Sequence, residues 1–137
     1  MVDTGPLVSL LMTDEATHEW SKNVLISLGV PVYTSESVLT EVIHLLRKRS
    51  GTRKTWQAVL DSIEAGVLRV LPVMPVAASR IKELMLKYYP QMDLADASLV
   101  VLSERYPKAK LITIDRRDFT VYRRKDGNPV PPVMPPE

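Results

Sequence analysis

Between Met92 and Leu102 the chain is almost continuously apolar, yet the stretch opens with two carboxylates, Asp93 and Asp96. A run that dense in apolar residues predicts a helix packed on two sides, and so a core with layers above and below it. Both acids are expected in the first helical turn, at the positive end of the helix dipole. Their i,i+3 spacing sets both side chains on one face. At an effective dielectric of about 20, like charges about 4 Å apart repel by about 4 kcal/mol. Such a pair either caps the helix or shares a divalent cation that relieves the repulsion.

The elements around this stretch are short and alternate in type. Val2 is a strand stub, with Asp3 or Thr4 capping a helix that Pro6 tolerates in its first turn. Glu15 to Leu28 reads as an amphipathic helix with Ala16, Trp20, Val24 and Leu28 inward, ended by Gly29. A β-branched strand follows over Val30–Thr34. Ser35 or Ser37 then caps a helix reaching Arg49, with Val38, Leu39, Val42, Ile43, Leu45 and Leu46 buried and Ser37, Glu41, His44 and Lys48 on its polar side. Thr55 to Ala65 is expected to be helical with Trp56, Val59, Leu60 and Ile63 inward, and Val67–Leu71 to be a strand. Val76 to Tyr89 is helical again, on a stripe of Ala77, Ile81, Leu84, Met85 and Tyr88. Lys110–Asp115 reads as a buried strand ending on an acid.

Strands alternating with helices predict an α/β fold: three layers, α/β/α, around a short central parallel sheet. A chain of 137 residues fits one domain, here residues 1–126, followed by a Pro-rich tail, 127–137, expected as an extended edge or a loose end. The absence of Cys excludes disulfides and thiolate metal sites. No apolar run approaches a membrane span and the chain opens on Met-Val-Asp without a leader, so a cytoplasmic protein with no membrane partner is expected. Net charge is +2, but the cations cluster. Arg47, Lys48, Arg49, Arg53 and Lys54 read as a solvated helix end, whereas Arg116, Arg117, Arg123 and Arg124 follow directly on Asp115.

In doubly wound sheets, ligands gather beyond the carboxyl ends of the strands. Asp3 and Asp115 each follow a strand, Asp93 and Asp96 start a helix at the same edge, and Glu41 lies just inside the helix after another strand. Five acids from separate segments are thus expected on one rim. Carboxylates without Cys or a His pair make a hard-oxygen site suited to Mg²⁺ or Mn²⁺. A cation held there can activate water against a phosphodiester, with nearby arginines on the flanking phosphates.

Four segments in order, Asp3-Thr4-Gly5-Pro6-Leu7, Ser37-Val38-Leu39-Thr40-Glu41, Asp93-Leu94-Ala95-Asp96-Ala97 and Thr113-Ile114-Asp115-Arg116-Arg117-Asp118-Phe119, resemble the PIN-domain ribonucleases. More narrowly, they resemble the VapC-type toxins of bacterial type II toxin–antitoxin pairs. The resemblance implies an endoribonuclease dependent on Mg²⁺ or Mn²⁺, with Asp3, Glu41, Asp96 and Asp115 as catalytic, metal-holding acids. It implies auxiliary roles for Asp93 and Asp118, and orienting hydroxyls on Thr4 and Thr113. It also implies an RNA substrate contacted by Arg116, Arg117, Arg123 and Arg124, a homodimer, and a small antitoxin that silences the groove. Two other readings compete. A phosphatase-like phosphoryl-transfer domain would want a second Asp two residues after the first, where this chain has Gly5. A non-catalytic RNA-binding module would be expected to have lost acids that are all present here.

Overall fold

A computed structural model describes residues 1–29 and 31–137. The order is α1 (Thr4–Leu11), α2 (His18–Leu28), β1 (Val32–Ser35), α3 (Glu36–Arg49), α4 (Lys54–Glu64), β2 (Leu68–Leu71), α5 (Ala78–Lys87), α6 (Leu94–Arg105), β3 (Leu111–Ile112) and β4 (Pro132–Val133). β1 pairs with β2 in parallel, from Val32 opposite Leu68 to Ser35 opposite Leu71. β3 pairs in parallel with β4, Leu111 opposite Pro132 and Ile112 opposite Val133.

One residue joins the two pairs. Val2 makes a parallel bridge to Ile112 and donates its N–H to the Tyr33 carbonyl at 2.8 Å. The spatial order is therefore β2-β1-Val2-β3-β4. The expected strand stub is the middle of the sheet, and it holds its place because its backbone is fully engaged on both sides. The Thr34 hydroxyl donates to the Val2 carbonyl at 2.9 Å, and Asp3 N–H donates to the Ile112 carbonyl at 2.9 Å. Val2 itself is buried completely, so Asp3 leaves the sheet from its centre.

The expected α/β/α layering is observed, and α6 is its innermost helix, with every residue from Ala97 to Ser103 buried. Local boundaries differ from the sequence reading for identifiable reasons. α2 starts at His18 rather than Glu15, because the preceding turn is tied to α1 by the Ser9–Thr17 hydroxyl contact at 2.7 Å and by His18 Nδ1 against the Ser9 carbonyl at 2.8 Å. Its inward side is consequently Trp20, Ser21, Val24 and Leu25, while Ala16 and Leu28 face outward. Leu60 of α4 is likewise exposed. The strand expected over Val30–Thr34 is found at Val32–Ser35; Val30 lies outside the described residues. The strand expected over Lys110–Asp115 forms ladder only at Leu111–Ile112, because the Thr113 hydroxyl accepts from Asp115 N–H at 3.0 Å and bends the chain away. The Pro-rich segment folds back against the domain as the edge strand β4, with Val130 completely buried. An edge is where proline's missing N–H does least harm.

Candidate active site

Asp3 follows the central strand residue directly and caps α1. One carboxylate oxygen accepts from Thr4 N–H at 2.7 Å, and the other accepts from the Thr113 hydroxyl at 2.8 Å. Both oxygens are therefore fixed, and the residue is 8% exposed. Gly5 permits the close approach that brings this cap to the Asp115 turn. A Cβ at that position would stand 2.5 Å from Ile114 Cγ1, so any side chain would push the two segments apart.

Asp93 caps α6, accepting from Asp96 N–H at 2.8 Å. The capping reading of the Asp93–Asp96 pair is thus correct for Asp93, while Asp96 points its carboxylate at a different donor, the Tyr122 hydroxyl at 2.9 Å. α6 is held against the start of α3 by a buried serine chain. The Ser35 hydroxyl donates to Ser98 at 2.6 Å, Ser98 donates to the Ala95 carbonyl at 2.6 Å, and Ser35 meanwhile accepts from Val38 N–H at 3.2 Å. This chain fixes the distance between the helices that carry Glu41 and Asp96. The Thr4 hydroxyl reaches Glu41 at 3.3 Å. Asp115 accepts from Asp118 N–H at 2.8 Å in a tight turn, and the Gln91 amide donates to the Asp118 carboxylate.

Asp3, Glu41, Asp93, Asp96, Asp115 and Asp118 line one groove of about 330 Å³, together with Thr4, Gly5, Glu15, Arg49 and Gln91. Their crowding shows in their protonation. Burial, with the charges of Asp115 and Glu41, raises Asp3 from 3.8 to about 6, against the hydrogen bonds from Thr4 and Thr113. Burial, with the charges of Asp93, Asp3 and Asp118, raises Asp96 to about 8, although the Tyr122 hydroxyl favours its ionised form. Glu41 is raised by burial and by Asp93, and Asp115 by burial and by its contact with Asp118. Tyr122, buried beside Asp96, is pushed above its ordinary value and keeps its proton as donor.

The family description "PIN domain" matches residues 1–125. The chain belongs to the PIN domain family. It is similar to Ribonuclease VapC26 of Mycobacterium tuberculosis (strain ATCC 25618 / H37Rv), with 27% identity over 128 residues, covering 93% of this chain and 94% of that protein. Its fold is similar to that of the crystal structure of Mycobacterium tuberculosis VapC20, described as a sarcin–ricin loop cleaving toxin. The TM-score is 0.72 at 22% identity, over 80% of this chain and 85% of that one. The VapC-type PIN resemblance carried by the four motifs is borne out.

In this PIN domain the side-chain oxygens lining the groove come from carboxylates, the Thr4 hydroxyl and the Gln91 amide, with no sulfur, a set that fits Mg²⁺ or Mn²⁺. Among the described residues no three acids close tightly enough to form a ready-made cage. Mg²⁺ keeps several waters and is held through one or two carboxylates, so it does not require such a cage.

Of the four arginines expected at RNA, Arg123 and Arg124 are engaged within the protein, while Arg116 and Arg117 stay exposed. None of Arg116, Arg117, Arg123 and Arg124 lines the groove. The Arg123 guanidinium donates to the carbonyls of Thr120, Val121 and Tyr122 at 2.8, 3.2 and 3.0 Å. Arg124 donates to the Pro107 carbonyl at 3.0 Å and to the Ser103 hydroxyl at 3.3 Å, with Asp126 at 3.5 Å. Arg123 thus braces the loop after Phe119 internally, and Arg124 holds that loop against the end of α6. Arg116, 3.9 Å from Glu137, and Arg117 remain exposed on the turn that carries Asp115.

Instead, the first basic cluster supplies a groove residue. Glu41, Leu45 and Arg49 form a stripe of α3 along it, at i, i+4 and i+8. The sequence reading instead sets Ser37, Glu41, His44 and Lys48 on the polar side of this helix, Leu45 on its buried side and Arg49 at a solvated end. Ser35 was legible as a helix cap, but its contact with Ser98 and that of Tyr122 with Asp96 carried no such signal, since they join residues 63 and 26 apart.

Proposed function

We propose that this PIN-domain protein is an endoribonuclease hydrolysing RNA phosphodiester bonds with a divalent cation, Mg²⁺ or Mn²⁺, and that it is the toxin of a toxin–antitoxin pair. One observation carries the reading: acids from four separate segments face a single groove with, among the described residues, one cation, Arg49, on its wall, and burial among like charges raises Asp3 to about 6 and Asp96 to about 8. The similarity to a ribonuclease and to the fold of an RNA-cleaving toxin supports RNA as the substrate class. Asp3, Asp96, Asp115 and Glu41 would hold the cation, which supplies Lewis acidity and lets water deprotonate at neutral pH.

The chain's own groups do the positioning. Thr4 N–H and the Thr113 hydroxyl lock both oxygens of Asp3. The Tyr122 hydroxyl orients Asp96 and favours its charged form. Asp93 and Asp118 are auxiliary, Asp93 by fixing the start of α6 and Asp118 through the Asp115 turn. Arg116 and Arg117 are exposed beside that turn, where flanking phosphates would pass. Residues 1–126 carry all of these groups, and the tail 127–137 closes a sheet edge without lining the groove. A groove so rich in carboxylates also suits a basic segment of a small antitoxin, and a homodimer is part of the same reading.

The deciding experiment is RNA cleavage by Asp96→Asn with Mg²⁺ or Mn²⁺, alongside a thermal unfolding curve. A fall of about 10²–10³-fold is expected, with the fold intact and the toxicity of expression abolished. A folded variant that cleaves RNA as the wild type does would remove this groove from the reaction.

A further inference from the structure

The groove that faces a polyanion is lined by seven carboxylates: Asp3, Glu15, Glu41, Asp93, Asp96, Asp115 and Asp118. Among the described residues Arg49 is the one cation on its wall. Arg49 stands in the last turn of α3, two turns beyond Glu41 on the same stripe. At a rise of about 1.5 Å per residue that is about 12 Å along the helix from the acid cluster. Its partner is Glu15, from the turn between α1 and α2, through a single contact of 3.3 Å from Arg49 Nη1 to Glu15 Oε1. Both side chains are substantially solvated, 49% and 37% exposed. A one-point, hydrated pair of this kind adds little to stability and exchanges readily. A phosphodiester, in contrast, offers a guanidinium two oxygens in the planar geometry it favours.

Resting on the nuclease reading, we propose that Arg49 binds a phosphate of the RNA strand flanking the one cleaved, and that the Glu15 carboxylate occupies that phosphate's place in the free protein. Binding is an exchange of one anion for another on the same guanidinium. Glu15 is consequently a built-in competitor that weakens RNA binding, and Arg49 is a substrate-positioning residue. The strand then runs from the acid cluster along α3 past Leu45 towards the end of the helix.

Two variants separate this role from a structural one. Each breaks the same ion pair, so if the pair merely braced the loop between α1 and α2, Arg49→Ala and Glu15→Gln would alter cleavage in the same direction. The exchange requires opposite directions. Arg49→Ala raises KM for a short single-stranded RNA by roughly tenfold, the loss expected for one charge-assisted contact, with kcat nearly unchanged. Its dependence of log KM on log salt flattens by about 0.7, the share of one phosphate on a single strand. Glu15→Gln lowers KM and leaves the salt slope as it is. Shifts in the same direction, or KM and salt slope unchanged in Arg49→Ala, overturn the proposal. Wild-type protein is assayed in parallel with Mg²⁺ or Mn²⁺. If it cleaves no RNA, the nuclease reading fails; if it cleaves and the two variants do not diverge, only the assignment of Arg49 fails.

Discussion

The two ends of α6 carry the same kind of group and treat it in opposite ways. At its C-terminal end Glu104 accepts from Arg80 at two points, 3.0 and 2.8 Å, and from Lys125 N–H at 2.6 Å. Burial works against its charge, but these donors outweigh burial and hold Glu104 below its ordinary value. At the N-terminal end Asp96 has one neutral donor, Tyr122, and several carboxylate neighbours, and it is raised to about 8. An acid given matched donors straps α5 and the loop after Phe119 to the helix. An acid left among other acids is strained electrostatically, a strain that a bound cation would relieve. The contrast shows how one helix separates the work of holding the fold from the work of a site.

Exchanging the charge at each end breaks the comparison most directly. Glu104→Gln leaves Arg80 with a weakened partner at a site where both side chains are largely buried, 14% and 16% exposed. A stability loss of about 2 kcal/mol in urea unfolding is expected, with RNA cleavage unchanged. Asp96→Asn, measured without metal, should unfold no more easily than the wild type, since it removes a crowded charge rather than a matched one. Equal losses at the two ends would erase the distinction.

Acidity sharpens the same contrast at a smaller scale. Asp3 and Asp96 bind their protons more tightly folded than unfolded, at about 6 and about 8 against an ordinary 3.8. Their contribution to stability is therefore fully present below about pH 4 and is lost as pH rises through 6 and then 8. Glu104, lowered from its ordinary value, contributes above about pH 4.5 and loses that contribution on acidification. Without metal, the thermal midpoint should decline between pH 5 and 8.5 in the wild type, and decline less in Asp96→Asn. Mg²⁺ must displace the retained protons, so the midpoint increase it produces should be small at pH 5.5 and largest near pH 8.5. A Mg²⁺ effect independent of pH would show that these acids do not hold it.

The smallest expected effect belongs to Tyr122→Phe. The ring stays packed edge-on against Tyr88 and Phe119, while Asp96 loses the donor that favours its charged form. Mg²⁺ affinity at pH 7, followed by titration calorimetry, should fall by a factor of about 5, equivalent to about 1 kcal/mol, and the deficit should shrink by pH 9. A deficit constant across pH would assign Tyr122 to packing rather than to Asp96.

Several features of this molecule were fixed by local chemistry and could be read without coordinates. The apolar density from Leu94 to Leu102 demanded a two-sided helix, and α6 is that helix. Acids placed directly after strands or at helix starts had to appear at one edge of a parallel sheet, and Asp3, Glu41, Asp93, Asp96 and Asp115 line one groove. The four ordered motifs sufficed for the PIN family. Features that depend on which distant surface a side chain meets were decided by packing alone. A one-residue strand at Val2 can serve only because Tyr33 and Ile112 arrive on either side of it. Whether Arg124 faces RNA or the Pro107 carbonyl, and whether Arg49 is a solvated end or a groove wall, is invisible in the order of residues. Composition and periodicity report what each segment must bury. Partnership between polar groups far apart in the chain exists only once the layers have closed, and the folded geometry alone assigns it.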